Sequence, residues 1–373
     1  MNRIVKHSKI FILITWVAST LTYLCMFGIY KDLEAEKYIN EAHYLIKNFG
    51  FSSPRYWFYA ITVFILALSF ILKIGIKGAF VIQALLNLFA LLYFHKALKQ
   101  FFQNQLTPLL VVLFLLIFWP YQSWIVYLYT ESVFFSLILI LLSTMLLYKP
   151  DNLRHLIYIV ASLILVILSR PLGILFVAGV FAFVFFHANK KWRIILFLSS
   201  LLFIGIAFFI INTIFSSIDD WYITKPFEQE SIICNLPNTS FSGIKLQLSS
   251  ATNPLSQLQY YISHNFKHFR HFTFLKLKYF FLMTRPYYSN AHNYFLLINL
   301  IFVYALAFVG IFIKSFHSNK GILIFILTSI LFYSIAIVLQ CDDYHNRFIL
   351  SIFPLFSIMA GKTIDQLLIK KKS

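Results

Sequence analysis

The chain has 373 residues, is 60% hydrophobic and only 12% charged, and carries a formal net charge of +18. Its mean hydropathy of +0.79 exceeds what a soluble fold can bury, and its apolar runs are continuous rather than alternating, which excludes a soluble domain and an outer-membrane barrel. The Lys and Arg residues lie in small scattered clusters with no compact basic domain, so they read as cytoplasmic loops and lipid-headgroup contacts, not as a nucleic-acid surface.

What remains is an all-α, polytopic helical membrane protein. Its apolar segments are roughly 9–29, 56–72, 79–95, 106–119, 124–148, 154–169, 171–188, 193–215, 292–313, 321–339 and 347–368. The first is too long for a signal-peptide core and lacks a small-residue cleavage site, so it reads as a retained helix. Basic residues at Lys6 and Lys9, Lys149 and Arg154, Lys190 and Lys191, Lys314 and Lys320, and Lys370 all ask for the cytoplasm. Both termini are then inside, the number of crossings is even, and one of the eleven segments does not span. The weak ones are 56–72 and 106–119, which ends at Pro120; loop charge does not choose between them.

Eleven of the thirteen carboxylates then fall outside, leaving only Asp151 and Asp365 inside. Four of them, Asp32, Glu34, Glu36 and Glu41, gather directly after the first apolar segment. As a helix, that stretch places Glu34, Tyr38, Ala42, Leu45 and Phe49 on one stripe. It reads either as the solvated face of an interfacial helix or as the place where a carboxylate removes a proton from an acceptor hydroxyl. Asp32, two residues earlier, suits an amide-capping role. Glu131 opens an apolar helix, where a carboxylate is costly unless it lies at the interface or lines a cavity, with Thr130 as the expected cap. Arg170 sits in a loop-free turn between two apolar runs; a lipid phosphate and Glu131 are both candidate partners. Asp342, Asp343, His345 and Arg347 gather at the outer mouth of the last helix, where Arg suits phosphate.

The long outer loop, 216–291, closes on a segment mixing Phe and Leu with Lys, Arg and His, which reads as a helix on the membrane surface. His264, His268 and His271 have metal-face spacing, but the interleaved Lys and Phe favour that interfacial helix. Cys234 and Cys341 fall in outer loops and can pair.

Together these pieces resemble the GT-C superfamily of membrane glycosyltransferases, which use polyprenyl-phosphate sugars. The match runs through Glu34, Tyr38, Ala42 and Gly50-Phe51, then Arg55 and Tyr59 opening an apolar segment. It continues through Thr130-Glu131 and Arg170-Pro171-Leu172-Gly173 to Arg347, Phe348, Leu350 and Pro354. The order and spacing carry the resemblance, which covers the chain except 216–291. The family's first outer loop holds juxtamembrane helices before the second crossing. The resemblance therefore implies that 56–72 does not span, with about ten transmembrane helices and a first exoplasmic loop over 30–78 in a single domain, 1–373. It implies inverting transfer of a sugar from a polyprenyl-phosphate donor to a lipid, glycan or protein hydroxyl on the exoplasmic side of a bacterial inner membrane. It implies Glu34, with Asp32 and Glu131, as candidate catalytic carboxylates. Arg55, Tyr59, Arg170, Asp342, Asp343, His345 and Arg347 become candidate substrate contacts. The resemblance fixes no cofactor, and a divalent metal stays open. The alternatives are a transporter or flippase for a lipid-linked or anionic solute, and an O-antigen polymerase or ligase. The clustering of acids at the outer interface, away from mid-bilayer, favours the transferase.

Overall fold

The computed structural model describes residues 5–150, 152–200, 224–234, 246–249, 254–313, 319–342 and 344–370. Among these the chain is all-α, and isolated bridges join Tyr30 to Tyr127 and Ile233 to Asp342. Among the described residues six helices are long and apolar enough to cross a membrane, or seven if one bent pair counts as a span. Apolar helices of 10–17 residues are Thr130–Leu146, Leu153–Ile167 and Pro171–His187. Large apolar side chains such as Ile10, Ile14, Leu21, Phe302 and Phe308 stand exposed on the long helices, the pattern of a bundle whose outer surface meets lipid.

The fold divides into two compact units, one of Met1–Val177, Phe302–Leu323 and Leu350–Ser373, the other of Ala178–Ile301 and Ile324–Ile349. The first contains α1 (Ser8–Phe27), α2 (Glu34–Asn48), a 3-10 helix (Pro54–Tyr59), α3 (Ala60–Ile71), α4 (Gly75–Phe101), α5 (Thr107–Ile117), α6 (Trp119–Gln122), a 3-10 helix (Ser123–Val126), α7 (Thr130–Leu146) and α8 (Leu153–Ile167). α7 is buried on every side from Thr130 to Leu139, as its all-round apolar sequence demands of a central helix.

Packing fixes the helix directions. Tyr23 of α1 clusters with Ala84 of α4, and Trp16 Nε1 donates to Asn87 Oδ1 at 3.0 Å, so α1 and α4 run antiparallel. Tyr30, just past α1, donates through its amide to Val126 O at 2.9 Å. Gln83, early in α4, donates through Nε2 to Ile125 O at 2.8 Å and Tyr127 O at 3.1 Å. The chain therefore leaves α1 and enters α4 at the same end of the bundle. Pro54–Ile71 is long and apolar enough to cross, yet both flanks of the segment containing it lie at that end.

Two boundaries differ from the sequence reading. The segment expected at 106–119 continues beyond Pro120: Thr107–Ile117 and Trp119–Val126 are joined by a 72° bend. The run expected from 124 opens as the 3-10 helix to Val126 and becomes α-helical only at Thr130, with Tyr127 in the link between them paired to Tyr30. At the opposite end, Asp365 of α15 (Arg347–Lys370) accepts from the amides of Gln103 at 3.1 Å and Asn104 at 2.7 Å, and from Thr107 Oγ1 at 3.2 Å. It thereby supplies an acceptor for otherwise unpaired amides between α4 and α5.

The second unit takes part of α9 (Leu175–His187), then α10 (Lys225–Glu228), α11 (Pro254–His264) and α12 (Phe266–Leu282), with parts of α13 (Asn290–Ile311) and α14 (Lys320–Leu339). Phe227, Ile232, Ile233, Tyr261 and Phe272 form its own small core. Cys234 and Cys341 form a disulfide with Cα atoms 5.0 Å apart. Beside it, Cys234 N donates to Asp342 O at 2.9 Å and Asp342 N to Ile232 O at 2.7 Å. The closing segment is helical, as α12, and it turns Phe272, Lys276 and Phe280 inward.

Candidate active site

α2 is amphipathic and buries Ala35, Tyr38, Glu41 and Ala42. The expected stripe holds as far as Ala42 and fails at Phe49. There the helix has ended, the backbone is left-handed (φ 53°), and the ring is 94% exposed. Glu41 is a clamp: Oε1 accepts from Ser52 N at 2.7 Å and Oε2 from Ser52 Oγ at 2.5 Å. That grip fixes the turn leading into the 3-10 helix that carries Arg55 and Tyr59.

Glu34 lies in the first turn of α2, half-buried. Tyr38 OH donates to its Oε1 at 2.8 Å and Lys37 Nζ lies 3.0 Å from the same oxygen. The Tyr38 ring packs 5.4 Å from Tyr59. Burial first, then the charges of Glu34 and Glu131, raise the Tyr38 hydroxyl above its ordinary range, so it stays protonated and donates. Asp32 departs from the sequence reading. Its carboxylate is exposed and caps no α2 amide, while its backbone oxygen accepts from Tyr129 OH at 3.3 Å.

Glu131 and Arg170 meet. Glu131 is fully buried in the first turn of α7, where the helix dipole favours a carboxylate. Arg170 Nη1 donates to its Oε1, with 8% of the arginine side chain exposed. The turn that delivers Arg170 follows from its sequence. Pro171 keeps Arg170 extended (φ −165°, ψ 144°) and opens a 3-10 helix at Pro171–Ile174. Gly173 N then donates to Arg170 O at 2.9 Å, and a Cβ on Gly173 would stand 2.5 Å from Val166 O. Thr130 is not the expected cap: Tyr129 holds that position, and the buried Thr130 hydroxyl has no hydrogen-bond partner among the described residues.

Tyr59 joins the two pairs, interacting electrostatically with Arg170, Glu34, Glu131 and Arg55. Arg55 is exposed beside Tyr56, its Nη2 lying 3.4 Å from the Tyr56 hydroxyl. Glu34, Arg55, Tyr59, Glu131 and Arg170 thus form one cluster from four separate stretches. Lys37 and Tyr38 complete it; Lys37 was legible as the i+3 neighbour of Glu34.

Asp342, His345 and Arg347 belong to the second unit, and Asp343 lies outside the described residues. Asp342 is buried and ion-paired with Arg285 Nη2. Arg285 also donates to Tyr279 O at 2.8 Å, and Asn293 accepts from its amide at 3.0 Å. Arg347 is buried at the start of α15, and His345 is exposed in a left-handed kink (φ 58°). His268 of the histidine trio is buried between Tyr261 OH, 2.5 Å from Nδ1, and Glu230 Oε1, 3.3 Å from Nε2. Among the described residues no group of three or more His, Cys, Asp or Glu side chains could hold a metal.

Chemically, the first cluster offers a half-exposed carboxylate held by a phenol and an ammonium, with an exposed guanidinium nearby and a buried ion pair behind it. Compared with family models, with curated proteins and with solved structures, the chain matches none.

Proposed function

We propose that the protein is a membrane glycosyltransferase of the GT-C kind, transferring a sugar from a polyprenyl-phosphate donor to an acceptor hydroxyl. The reading rests on the convergence at one end of the bundle of the stretches that carry the family resemblance: Glu34 with Tyr38, Arg55 with Tyr59, Glu131, and Arg170. In this reading Glu34 takes the acceptor proton as the acceptor oxygen attacks the anomeric carbon. The carbon–oxygen bond to phosphate breaks, the leaving phosphate keeps the electron pair, and the anomeric centre inverts. Arg55, exposed at the site, holds that phosphate, because Arg170 is engaged with Glu131 and Lys37 with Glu34. The Glu131–Arg170 pair and Tyr38 orient the base, so the gain comes from positioning and charge placed in advance.

The accompanying topology has ten crossings, with 30–78 and 216–291 exoplasmic and both termini in the cytoplasm of a bacterial inner membrane. The two same-end flanks of the segment holding Pro54–Ile71 support that count, and the disulfide supports an oxidising outer side. The test is transfer by the purified full-length protein supplied with defined lipid donors. Turnover of a polyprenyl-monophosphate sugar is the expected result. Activity confined to diphosphate-linked glycans moves the protein to the ligase class, and transmembrane movement of donor without transfer makes it a flippase.

A further inference from the structure

We infer that the outer face of α11 and α12 is a docking surface for an anionic phospholipid of the bilayer, with its headgroup on α12 and an acyl chain in a groove on α11. The groove, about 440 Å³, is lined by Leu255, Leu258, Ile262 and Phe266 with Gln259 and Ser263 at its rim. Phe266 is 56% exposed and also begins the open face of α12, so groove and face are continuous. Along that face stand Lys267, Arg270, Phe274 and Lys278, three cations around a ring that is 66% exposed. Their spacing, i, i+3, i+7 and i+11, makes one helical stripe.

Charge decides the occupant. No Asp or Glu occurs between Glu230 and Asp342, a stretch containing both helices. The two acids at its ends are already engaged, Glu230 with His268 and Asp342 with Arg285. Lys267, Arg270 and Lys278 make no ion pair among the described residues, so the stripe presents cations to an external anion. An apolar slot beside a cationic helix face matches one molecule with a charged head and a hydrocarbon tail. A protein partner or a second copy of this chain would need to bring acids of its own against three exposed cations, and the groove would need no hydrocarbon chain to fill it.

The experiment uses the full-length protein in nanodiscs. A Gln259→Cys change in a Cys25→Ser background, with the native disulfide kept, carries an environment-sensitive fluorophore at the groove rim. Spin-labelled phosphatidylglycerol or spin-labelled phosphatidylcholine is then titrated into a phosphatidylcholine bilayer. Quenching by phosphatidylglycerol should exceed quenching by phosphatidylcholine. That excess should vanish at raised ionic strength and in a K267Q/R270Q/K278Q variant whose disulfide remains formed on a non-reducing gel. Equal quenching by the two lipids, or an excess that survives both raised salt and the triple change, overturns the inference. Signal changes that follow protein concentration instead of lipid composition assign the surface to a second copy.

Discussion

At the scale of single residues, two neighbouring carboxylates have been given different environments. Glu34 is held by Tyr38 and Lys37; Asp32 points into solvent. Glu34→Gln keeps the shape and removes the basicity, so transfer should fall about a hundredfold or more, the scale of a general base, with donor affinity little changed. Asp32→Asn should transfer at close to the wild-type rate; a dead Asp32→Asn beside an active Glu34→Gln reverses the assignment. Lys276 supplies a pH dependence. It is buried over the rings of Phe227 and Phe272, its Nζ donates to Val338 O at 3.0 Å, and burial pushes its pKa down from 10.5 to about 7. Between those values the unfolded chain holds a proton that the folded chain lacks, so stability should rise with pH across the window. Thermal unfolding in detergent from neutral to alkaline pH checks this, and Lys276→Met should flatten that part of the curve. Of these residues, the Glu34–Tyr38 pair was legible from i, i+4 spacing and Arg170's partner was one of two readings. The Arg285–Asp342 pair was not legible, because nothing local links two side chains 57 positions apart.

At the scale of elements, short-range chemistry explains what could be read and what could not. The turn at Arg170-Pro171-Leu172-Gly173 carries its own instructions: a proline that fixes the preceding backbone and a glycine where a neighbouring carbonyl leaves no room. Gly173→Ala would push a methyl against Val166 O and its carbonyl carbon, backbone that cannot swing aside. The strain should cost about 1–3 kcal/mol and move Arg170 off Glu131. A lowered melting temperature together with reduced transfer would bear this out, and a variant as stable and active as wild type would remove the turn from the site's support. The bend near Pro120 was visible only as a segment end. Continuation past it depends on Gln83, whose amide reaches carbonyls of the following link from another helix. The Thr130 cap failed for a similar reason, since the chain enters α7 extended and pairs with the stretch around Tyr30.

At the scale of the whole molecule, the long continuous apolar runs pointed to the helical membrane class, and charge parity reduced the crossing order to two possibilities. Single cysteines introduced at Glu36 and Lys99, in a Cys25→Ser background with the disulfide intact, test the choice directly. A membrane-impermeant maleimide added from outside should label position 36 and leave position 99 untouched; outside labelling of position 99 would undo the ten-crossing arrangement. The disulfide between Cys234 and Cys341 closes a covalent ring across a sequence separation of 107 residues, and within that ring lie α11, α12, α13 and α14. A ring of that span cannot close during early synthesis. The ribosome must first deliver Cys341, so in the proposed topology α13 and α14 enter the bilayer before the bond can form. Closure of that ring is therefore a late event in biogenesis, and a chain arrested short of residue 341 would carry Cys234 as a thiol still awaiting its partner.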